Sequence, residues 1–370
     1  MNTAPVALNG RFTGTPQPTG TQTAAFGLFD AIIRASRERP VVVFADSRFP
    51  GVSEWASMAT CTLVETPFQD WTRAKAQLWE QFTFPRLCRE WKCSLAHHPI
   101  TTCPSLQGDV KTIVTLHDLN FYRHPEWYSR SFRLVYRLCA VPGLRRAARV
   151  VTISDFVHQQ AVECLRLKPE RVTRIYNGVK PCPPLPEPRP GTPPYILAVG
   201  SLQPHKNLPR LIRAYQRLRT KNPALELHVV GRPQPRFAEM PELAGLLEAP
   251  GVKLLGYLSE ADLAAAYAYA QVFCYPSLEE GFGLPLLEAM QAGTLALTSN
   301  LSCLPEIAGP SSLCVDPSDE TAITNALLFL LELTPPERFK RIEAGRAWAS
   351  RFTWQKAATD YLSLYDQVAG

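Results

Sequence analysis

The stretch Pro276-Ser277-Leu278-Glu279-Glu280-Gly281-Phe282-Gly283-Leu284-Pro285-Leu286-Leu287-Glu288-Ala289-Met290 decides how this chain is read. The apolar run Ala270-Gln271-Val272-Phe273-Cys274-Tyr275 leads into it, stops at Pro276 and predicts a buried parallel strand. Pro285 suits the first turn of a helix, and Leu286, Leu287, Ala289 and Met290 supply an apolar face for it. Gly281-Phe282-Gly283 lies between. Strand, glycine-punctuated loop and helix are the unit of a doubly wound α/β sheet, in which ligands bind outside the carboxyl ends of the strands.

Two carboxylates frame the loop, Glu280 within it and Glu288 early in the helix. A helix returning over its own loop can bring both to one cleft. The backbone N–H groups of Phe282, Gly283 and Leu284 stand at the helix start, where unpaired donors and the helix dipole favour an anion. N–H groups for phosphate and carboxylates for hydroxyls suit a nucleotide-sugar. A lone Gly-x-Gly is more often a plain turn with solvated glutamates, but the complete string is far more specific. It resembles the E-x7-E signature of retaining glycosyltransferases of family 4, which have the two-domain GT-B fold. Glu280 has the spacing to Glu288 that the signature requires, and Glu279 does not. The resemblance implies that Glu288 binds the nucleotide ribose, that Glu280 lies beside the donor sugar, and that the amides of Phe282, Gly283 and Leu284 hold diphosphate and sugar.

Working outward, Tyr195-Ile196-Leu197-Ala198-Val199-Gly200-Ser201 is a strand ending in a glycine turn, followed by Pro204-His205-Lys206-Asn207 and an amphipathic helix on Leu208, Leu211, Ile212 and Tyr215. A flexible cation beside unpaired N–H donors is a phosphate-site plan. The segment resembles the family's Gly-x-x-x-Pro-Arg-Lys-Asn stretch and implies that Lys206 meets the donor diphosphate. Two positions depart from it: Ser201 stands where some relatives carry a second arginine, and His205 replaces the arginine before the lysine. Strands follow at Leu225 to Gly231, Val252 to Leu258, Leu295 to Asn300 and Ser312 to Asp316. Gly256-Tyr257-Leu258 matches the family loop bordering the nucleotide base, which implicates Tyr257 and Leu258; a simple strand-to-helix turn is the alternative.

The N-terminal half reads as a second sheet-and-helix region. Val41-Val42-Val43-Phe44, Lys111 to Leu116 and Ala148 to Ser154 are strands, and a helical pattern runs from about Ala24 to Arg37. Thr19-Gly20 resembles the family loop in which a glycine lets the donor diphosphate approach, although Thr21, Gln22 and Thr23 stand where a basic residue is usual. His117-Asp118 closes a strand and resembles the family's His-Asp-Leu segment, which implies that His117 faces the donor sugar across an interdomain cleft. Asp118 either orients that imidazole or caps the next segment. Residues 181–194 are dense in proline without periodicity and read as a linker. The expected division is an acceptor-binding Rossmann-like domain over 1–180, the linker, and a nucleotide-sugar domain of the same kind over 195–351. Residues 352–370 form a closing helix that crosses back.

At 370 residues, two domains are expected rather than one. A hydrophobic share of 46% with 19% charged residues is that of a globular protein, and no apolar run reaches the length of a membrane span. The first residues lack the pattern of a signal peptide, so a cytoplasmic location is the default. Ten scattered cysteines fit reduced side chains better than a disulfide framework. Cys88, Cys93, His97, His98 and Cys103 could ligate a metal, but their spacing matches no common zinc pattern. No metal is expected at the site, since no Asp-x-Asp pair lies at a strand end.

Charge is uneven, about +9 up to residue 190 and about −3 beyond it, for a total of +6. Arg130, Arg133, Arg137, Arg145, Arg146 and Arg149 interleave with Trp127, Tyr128, Phe132, Leu134, Tyr136 and Leu138. That pattern suits a peripheral contact with an anionic membrane, or arginine stems packed on the domain. No nucleic-acid module accompanies it.

The resulting expectation is a metal-independent, retaining GT-B hexosyltransferase with no cofactor besides its nucleotide-sugar co-substrate. The Asn-Gly-Arg-Phe start and the His-Pro-Glu-Trp stretch look like bacterial polysaccharide mannosyl- and rhamnosyltransferases. GDP-mannose is therefore the expected donor, with UDP- or dTDP-sugars (glucose, rhamnose) as alternatives. The acceptor would be a saccharide or a polyprenyl-diphosphate-linked saccharide in exopolysaccharide assembly. His117, Glu280 and Lys206 carry the chemistry. Gly20, Ser201, Lys206, Tyr257, Leu258, Phe282, Gly283, Leu284 and Glu288 bind the donor, and Arg130, Arg133, Arg137, Arg145 and Arg146 meet the membrane. A GT-B epimerase and a non-catalytic nucleotide-sugar-binding module are the other readings. A dinucleotide dehydrogenase would need a Gly-x-Gly-x-x-Gly after a strand and a downstream acid, and none is found.

Overall fold

A computed structural model describes residues 4–15, 18–105, 108–185, 191–232 and 240–369. Part of the proline-rich stretch (186–190) and Pro16 and Gln17 of the loop before Gly20 lie outside the described residues. The chain divides into two compact units: Met1–Tyr122, Arg130–Gly178 and Thr353–Gly370 in the first, Arg123–Ser129 and Val179–Phe352 in the second. Among the described residues, no helix is long and apolar enough to cross a membrane.

The first unit holds strands β1 (Val6–Asn9), β2 (Val41–Ala45), β3 (Cys61–Glu65), β4 (Leu95–His98), β5 (Lys111–Leu116), β6 (Arg149–Thr152) and β7 (Val172–Arg174). They form one sheet in the order β3-β2-β1-β4-β5-β6-β7, and every pairing is parallel. Strands covered on both faces carry near-continuous apolar runs, and Val41-Val42-Val43-Phe44-Ala45 is buried at every position. Helices α1 (Gly20–Ala35), α2 (Asp155–Leu165) and α6 (Trp354–Ala369) belong to this unit; α3 to α5 are introduced below. α1 packs on α6, where Trp354 closes over Gly27. A Cβ at Gly27 would lie 2.6 Å from the indole ring.

The cysteine and histidine cluster is taken up by this unit's packing. Successive strand residues point to opposite faces, so His97 and His98 have separate surroundings. His97 has Nδ1 2.6 Å from the Tyr365 hydroxyl and Nε2 2.9 Å from Thr115 Oγ1. His98 Nδ1 accepts from Asn9 Nδ2 at 2.9 Å. Cys88 and Cys93 pack with Phe44, Phe84 and Trp79, and burial pushes the Cys93 thiol up to about 12. No group of three or more His, Cys, Asp or Glu among the described residues is placed to hold a metal ion.

The second unit repeats the plan with β8 (Tyr195–Val199), β9 (Glu226–Val230), β10 (Val252–Gly256), β11 (Val272–Tyr275), β12 (Ala296–Ser299) and β13 (Leu313–Val315), in the order β10-β9-β8-β11-β12-β13 and again parallel. Helix α3 (Leu208–Arg219) buries Leu208, Leu211, Ile212, Tyr215 and Leu218 against the sheet, and α4 (Leu284–Ala292) buries Leu286, Leu287, Ala289 and Met290. These are the apolar stripes of two amphipathic helices. Each fully buried side chain of this size contributes about 1.5–3 kcal/mol. Helix α5 (Pro335–Ala349) packs on α4.

Candidate active site

In the second unit the chain builds β8, moves outward to β9 and β10, then returns to place β11 on the other side of β8. Strand order reverses between β8 and β11, and a crevice forms there at the carboxyl ends. A small hollow lies at that position, lined by Val199 and Gly200 from β8 and its turn, Cys274 and Tyr275 from β11, and Lys206 and Pro276. The turn after β8 is seated by backbone bonds from Gly200 N to Val230 O (2.9 Å) and from Leu202 N to Arg232 O (3.0 Å). Asn207, at the start of α3, donates through Nδ2 to the carbonyls of Pro276 (3.0 Å) and Pro317 (2.7 Å).

Lys206 and Glu280 meet in this crevice. Lys206 Nζ donates to Glu280 Oε1 at 2.6 Å and to the Tyr275 hydroxyl at 2.6 Å, with Tyr275's ring 4.8 Å below the ammonium. Side-chain exposure is 14% for Lys206 and 11% for Glu280, so their attraction is weakly screened. Burial pushes the Glu280 carboxyl up, but the Lys206 ammonium and His205 outweigh it, and the carboxyl is held below its ordinary value. Burial and the same carboxylate push the Tyr275 phenol far up, so it stays protonated as a hydrogen-bonding group. The Glu280 backbone is held too: its N–H donates to Ser302 Oγ at 3.1 Å and its carbonyl accepts from Cys303 Sγ at 3.2 Å.

Beyond Glu280, Gly283 caps α4 at φ +94° and ψ +47°, the left-handed region that favours glycine. A Cβ there would also come within 2.9 Å of Leu304 Cδ2. Phe282 is buried edge-on to Phe352, with centroids 6.0 Å apart, while Leu284 is half-buried. The N–H groups of the first α4 turn thus sit at the crevice end of the helix.

Glu288 lies one turn further along, half-buried, and Oε2 accepts from the Tyr267 hydroxyl at 2.9 Å. Burial pushes its carboxyl up, opposed by Tyr267 and Lys180. The folded state therefore retains a proton over a pH range in which the unfolded chain has lost it. Stability from this site falls as pH rises from the ordinary carboxylate value through the raised one. Glu288→Gln removes that cost. Thermal unfolding of the ligand-free variant should show a higher Tm than the parent at pH 7–8, the gap closing towards pH 4. An equal Tm at both pH values would refute the assignment.

The remaining donor-site positions are dispersed. Ser201 is half-buried in the turn after β8. Tyr257 follows β10 with 51% exposure, under the Arg232 guanidinium at 5.4 Å from the ring centroid, and Leu258 beside it is half-buried. In the first unit, Gly20 is the first residue of α1 rather than a loop residue, because Thr19 and Gln22 form a capping box that starts the helix earlier than the apolar pattern indicates. A Cβ at Gly20 would meet nothing within 4 Å, so sterics do not require the glycine there.

His117 follows β5 and is buried, with Nε2 2.7 Å from the Pro99 carbonyl oxygen. A carbonyl only accepts, so Nε2 carries the proton and Nδ1 is the acceptor. Burial lowers the His117 pKa, with the Pro99 bond working against it, which favours the neutral ring. Asp118 Oδ1 accepts from Asn120 N at 3.0 Å, a turn cap, while the Nε2 partner of His117 is the Pro99 carbonyl.

The basic stretch breaks into helical segments at Arg130–Val135, Tyr136–Ala140 and Val141–Arg146, the middle one with widened π-type turns. Arg130 and Arg137 are exposed beside Leu134 (58%) and Leu138 (61%), and Arg133 is half-buried. Arg145 Nε donates to the Leu165 carbonyl (3.3 Å) and Arg146 Nη1 to the Ser105 carbonyl (2.7 Å), so both also tie down local backbone.

Tyr275, Tyr267 and Asn207 were not singled out as site residues from sequence. Tyr275 carried a signal: it ends a buried strand at the sheet's carboxyl edge, immediately before Pro276. Tyr267 lies in the last turn of a helix (Glu260–Ala268) and carried none.

A family described as "Glycosyl transferases group 1" matches residues 186–348, and one described as "Glycosyltransferase Family 4" matches residues 22–181. O-antigen chain mannosyltransferase B of Escherichia coli is 28% identical over 293 residues, covering 75% of each chain. The serotype-specific mannosyltransferase WbdA of Escherichia coli is 29% identical over 273 residues, 67% of this chain; the match takes in only 32% of that longer protein. Sucrose-phosphate synthase from Thermosynechococcus elongatus superposes with TM-score 0.75 at 20% identity over 99% of both chains. Anabaena HepE, solved in complex with UDP-glucose, gives 0.71 at 18% over 97% of this chain and 99% of that one. At these identities the structural likenesses speak for fold. Two parallel-sheet units with these neighbours define a GT-B protein. The chain belongs to the family 4 glycosyltransferases and is a glycosyltransferase enzyme.

Proposed function

We propose that this enzyme transfers mannose from GDP-mannose, with retention at the anomeric carbon, to a saccharide or polyprenyl-diphosphate-linked saccharide during exopolysaccharide assembly. The observation that carries the reading is the Lys206–Glu280 pair, 2.6 Å apart beside the hollow between β8 and β11. A diphosphate entering there meets one ammonium and the amides around Phe282, Gly283 and Leu284. Lys206 turns from Glu280 to the leaving phosphate, and Glu280 is released to a sugar hydroxyl. This fixed positive field stabilises charge developing on the leaving group without requiring a metal.

In the same reading, Glu288 accepts from the ribose hydroxyls, Ser201 and Gly20 approach the diphosphate, and Tyr257 and Leu258 border the base. His117 takes a sugar hydroxyl proton in a hydrogen bond at Nδ1. The relationship to O-antigen chain mannosyltransferase B favours mannose. A UDP-sugar donor is the second reading, favoured by the UDP-glucose complex of HepE; dTDP-sugars are a further outcome of the test. Arg130, Arg133 and Arg137 with Leu134 and Leu138 offer a basic, apolar-tipped surface that suits an anionic membrane on the cytoplasmic side, where a lipid-linked acceptor would be found. Arg145 and Arg146 add charge to it.

A thermal-shift screen with GDP, UDP, dTDP and their sugars tests the donor. A ligand at about 100 times its Kd adds about 2.7 kcal/mol to folded-state stability. Preferential stabilisation by GDP-mannose, lost in Lys206→Ala and Glu288→Ala, is the expected result. Preference for UDP-glucose would overturn the donor, and no shift with any nucleotide would overturn the enzymatic reading of the site.

A further inference from the structure

Residues Arg123–Ser129 lie in sequence between two stretches of the first unit, yet they belong to the second. The segment makes two sets of contacts there. Arg123 Nη1 donates to both oxygens of Glu279, at 2.9 and 2.9 Å, and His124 Nε2 donates to Oε2 at 3.0 Å. The Glu279 side chain is 7% exposed, so these bonds act largely out of water. His124 also stacks on Trp127, with centroids 3.9 Å apart and planes within 12°, and Trp127 lies 5.6 Å from the ring of His205.

Glu279 is the residue before Glu280, and His205 is the residue before Lys206. One short segment therefore grips the neighbour of each member of the Lys206–Glu280 pair. The two grips are joined directly as well, since Leu278 N donates to the His205 carbonyl at 2.7 Å. We propose that Arg123, His124 and Trp127 are positioning residues for glycosyl transfer: a clasp on Glu279 and His205 that sets the separation of Glu280 and Lys206. The inference rests on the reading of that pair as the diphosphate and sugar site. Glu279 lacks the spacing of the paired glutamates, and the clasp gives it a task of its own: it anchors the turn from which Glu280 projects.

The test uses the full-length enzyme with Arg123→Met, Glu279→Gln, Trp127→Leu and the exchanged pair Arg123→Glu with Glu279→Arg. Misplacing a catalytic group by a fraction of an ångström is expressed in turnover, so kcat should fall about 10- to 100-fold in the single variants while KM for the donor moves less than about threefold. The exchanged pair should recover most of that loss. A second readout needs no turnover: amine acylation of Lys206, mapped by mass spectrometry on protein without donor, should rise severalfold once Glu280 no longer holds the ammonium. Unchanged kcat, or a loss matched by a fallen Tm and not rescued by the exchange, overturns the clasp while leaving the transferase reading intact. If the parent enzyme transfers no sugar, that reading fails, and Lys206 acylation still decides: a rise supports the clasp as a brace of the pair, and an unchanged rate overturns it.

Discussion

Lys206→Ala is expected to lower kcat for glycosyl transfer by about 10²- to 10³-fold, the loss typical of removing one preorganised charge-stabilising donor. Lys206 is the cation placed at the switch-point hollow, held by Tyr275 and Glu280 at 2.6 Å each. Negative charge grows on the departing diphosphate in the transition state, and an ammonium held by a buried tyrosine needs little reorganisation to meet it. The substitution also strands Glu280. A buried charge that loses its partner costs about 3–5 kcal/mol, less at sites that keep some solvent contact. The pH dependence separates these effects. Glu280's folded-state carboxyl is held below its ordinary value, so the pair's stability is present above the unfolded carboxylate range and lost as pH falls through the lower folded value. In Lys206→Ala that acid-side loss should vanish from plots of Tm against pH. The double variant Lys206→Met with Glu280→Gln removes both charges, should recover most of the Tm, and should remain inactive. Recovery of turnover together with stability would show that Lys206 acts on the fold and not on the chemistry.

Gly178→Ala should be among the most damaging single changes to stability, about 3 kcal/mol or more, because the added methyl meets backbone and not a movable side chain. An ideal Cβ at Gly178 would lie 2.5 Å from the Thr353 carbonyl carbon and 2.6 Å from Trp354 Cα. These atoms start α6, whose Trp354, Ala358, Tyr361, Leu364 and Tyr365 are buried in the first unit. The same helix supplies the Tyr365 and Tyr361 hydroxyls that engage His97 and Thr115. Displacing its first turn would therefore disturb both the apolar and the polar contacts of the sheet face. Urea unfolding should show a lower midpoint. An unfolding free energy within about 0.5 kcal/mol of the parent would mean that the turn relaxes freely, against the close approach seen here.

Much of this enzyme is written in local patterns. The apolar runs Val41 to Ala45, Tyr195 to Val199 and Val272 to Tyr275 announce strands covered on both faces. Their alternation with amphipathic stretches such as Leu208–Arg219 leaves parallel, doubly wound sheets as the natural architecture. The loop from Glu280 to Glu288 and the Lys206 turn are contiguous motifs, and each could be read because its chemistry is set by neighbours in sequence. Where the sequence reading stopped short, the deciding contact was distant or polar. The Thr19–Gln22 capping box, not the apolar pattern, starts α1 at Gly20.

Other features required tertiary structure. Nothing in the spacing of Lys206, Tyr275 and Glu280 says that they converge; strand order does, by placing β11 beside β8. Tyr267 reaches Glu288 only because the helix that carries it packs against α4. The Cys88, Cys93, His97, His98 and Cys103 cluster dissolves because a strand sends adjacent side chains to opposite faces, while partners far along the chain engage both nitrogens of His97. Arg123, His124 and Trp127 gain meaning once the chain seats them against Glu279 and His205. Sequence by itself determined the fold class, the contiguous motifs and the most apolar strands, because burial periodicity and turn chemistry are local; the short strands β1, β3 and β4 carried too little pattern to be read. Tertiary structure alone decided which charges meet and which are buried, because those energies depend on through-space distance and solvent exclusion.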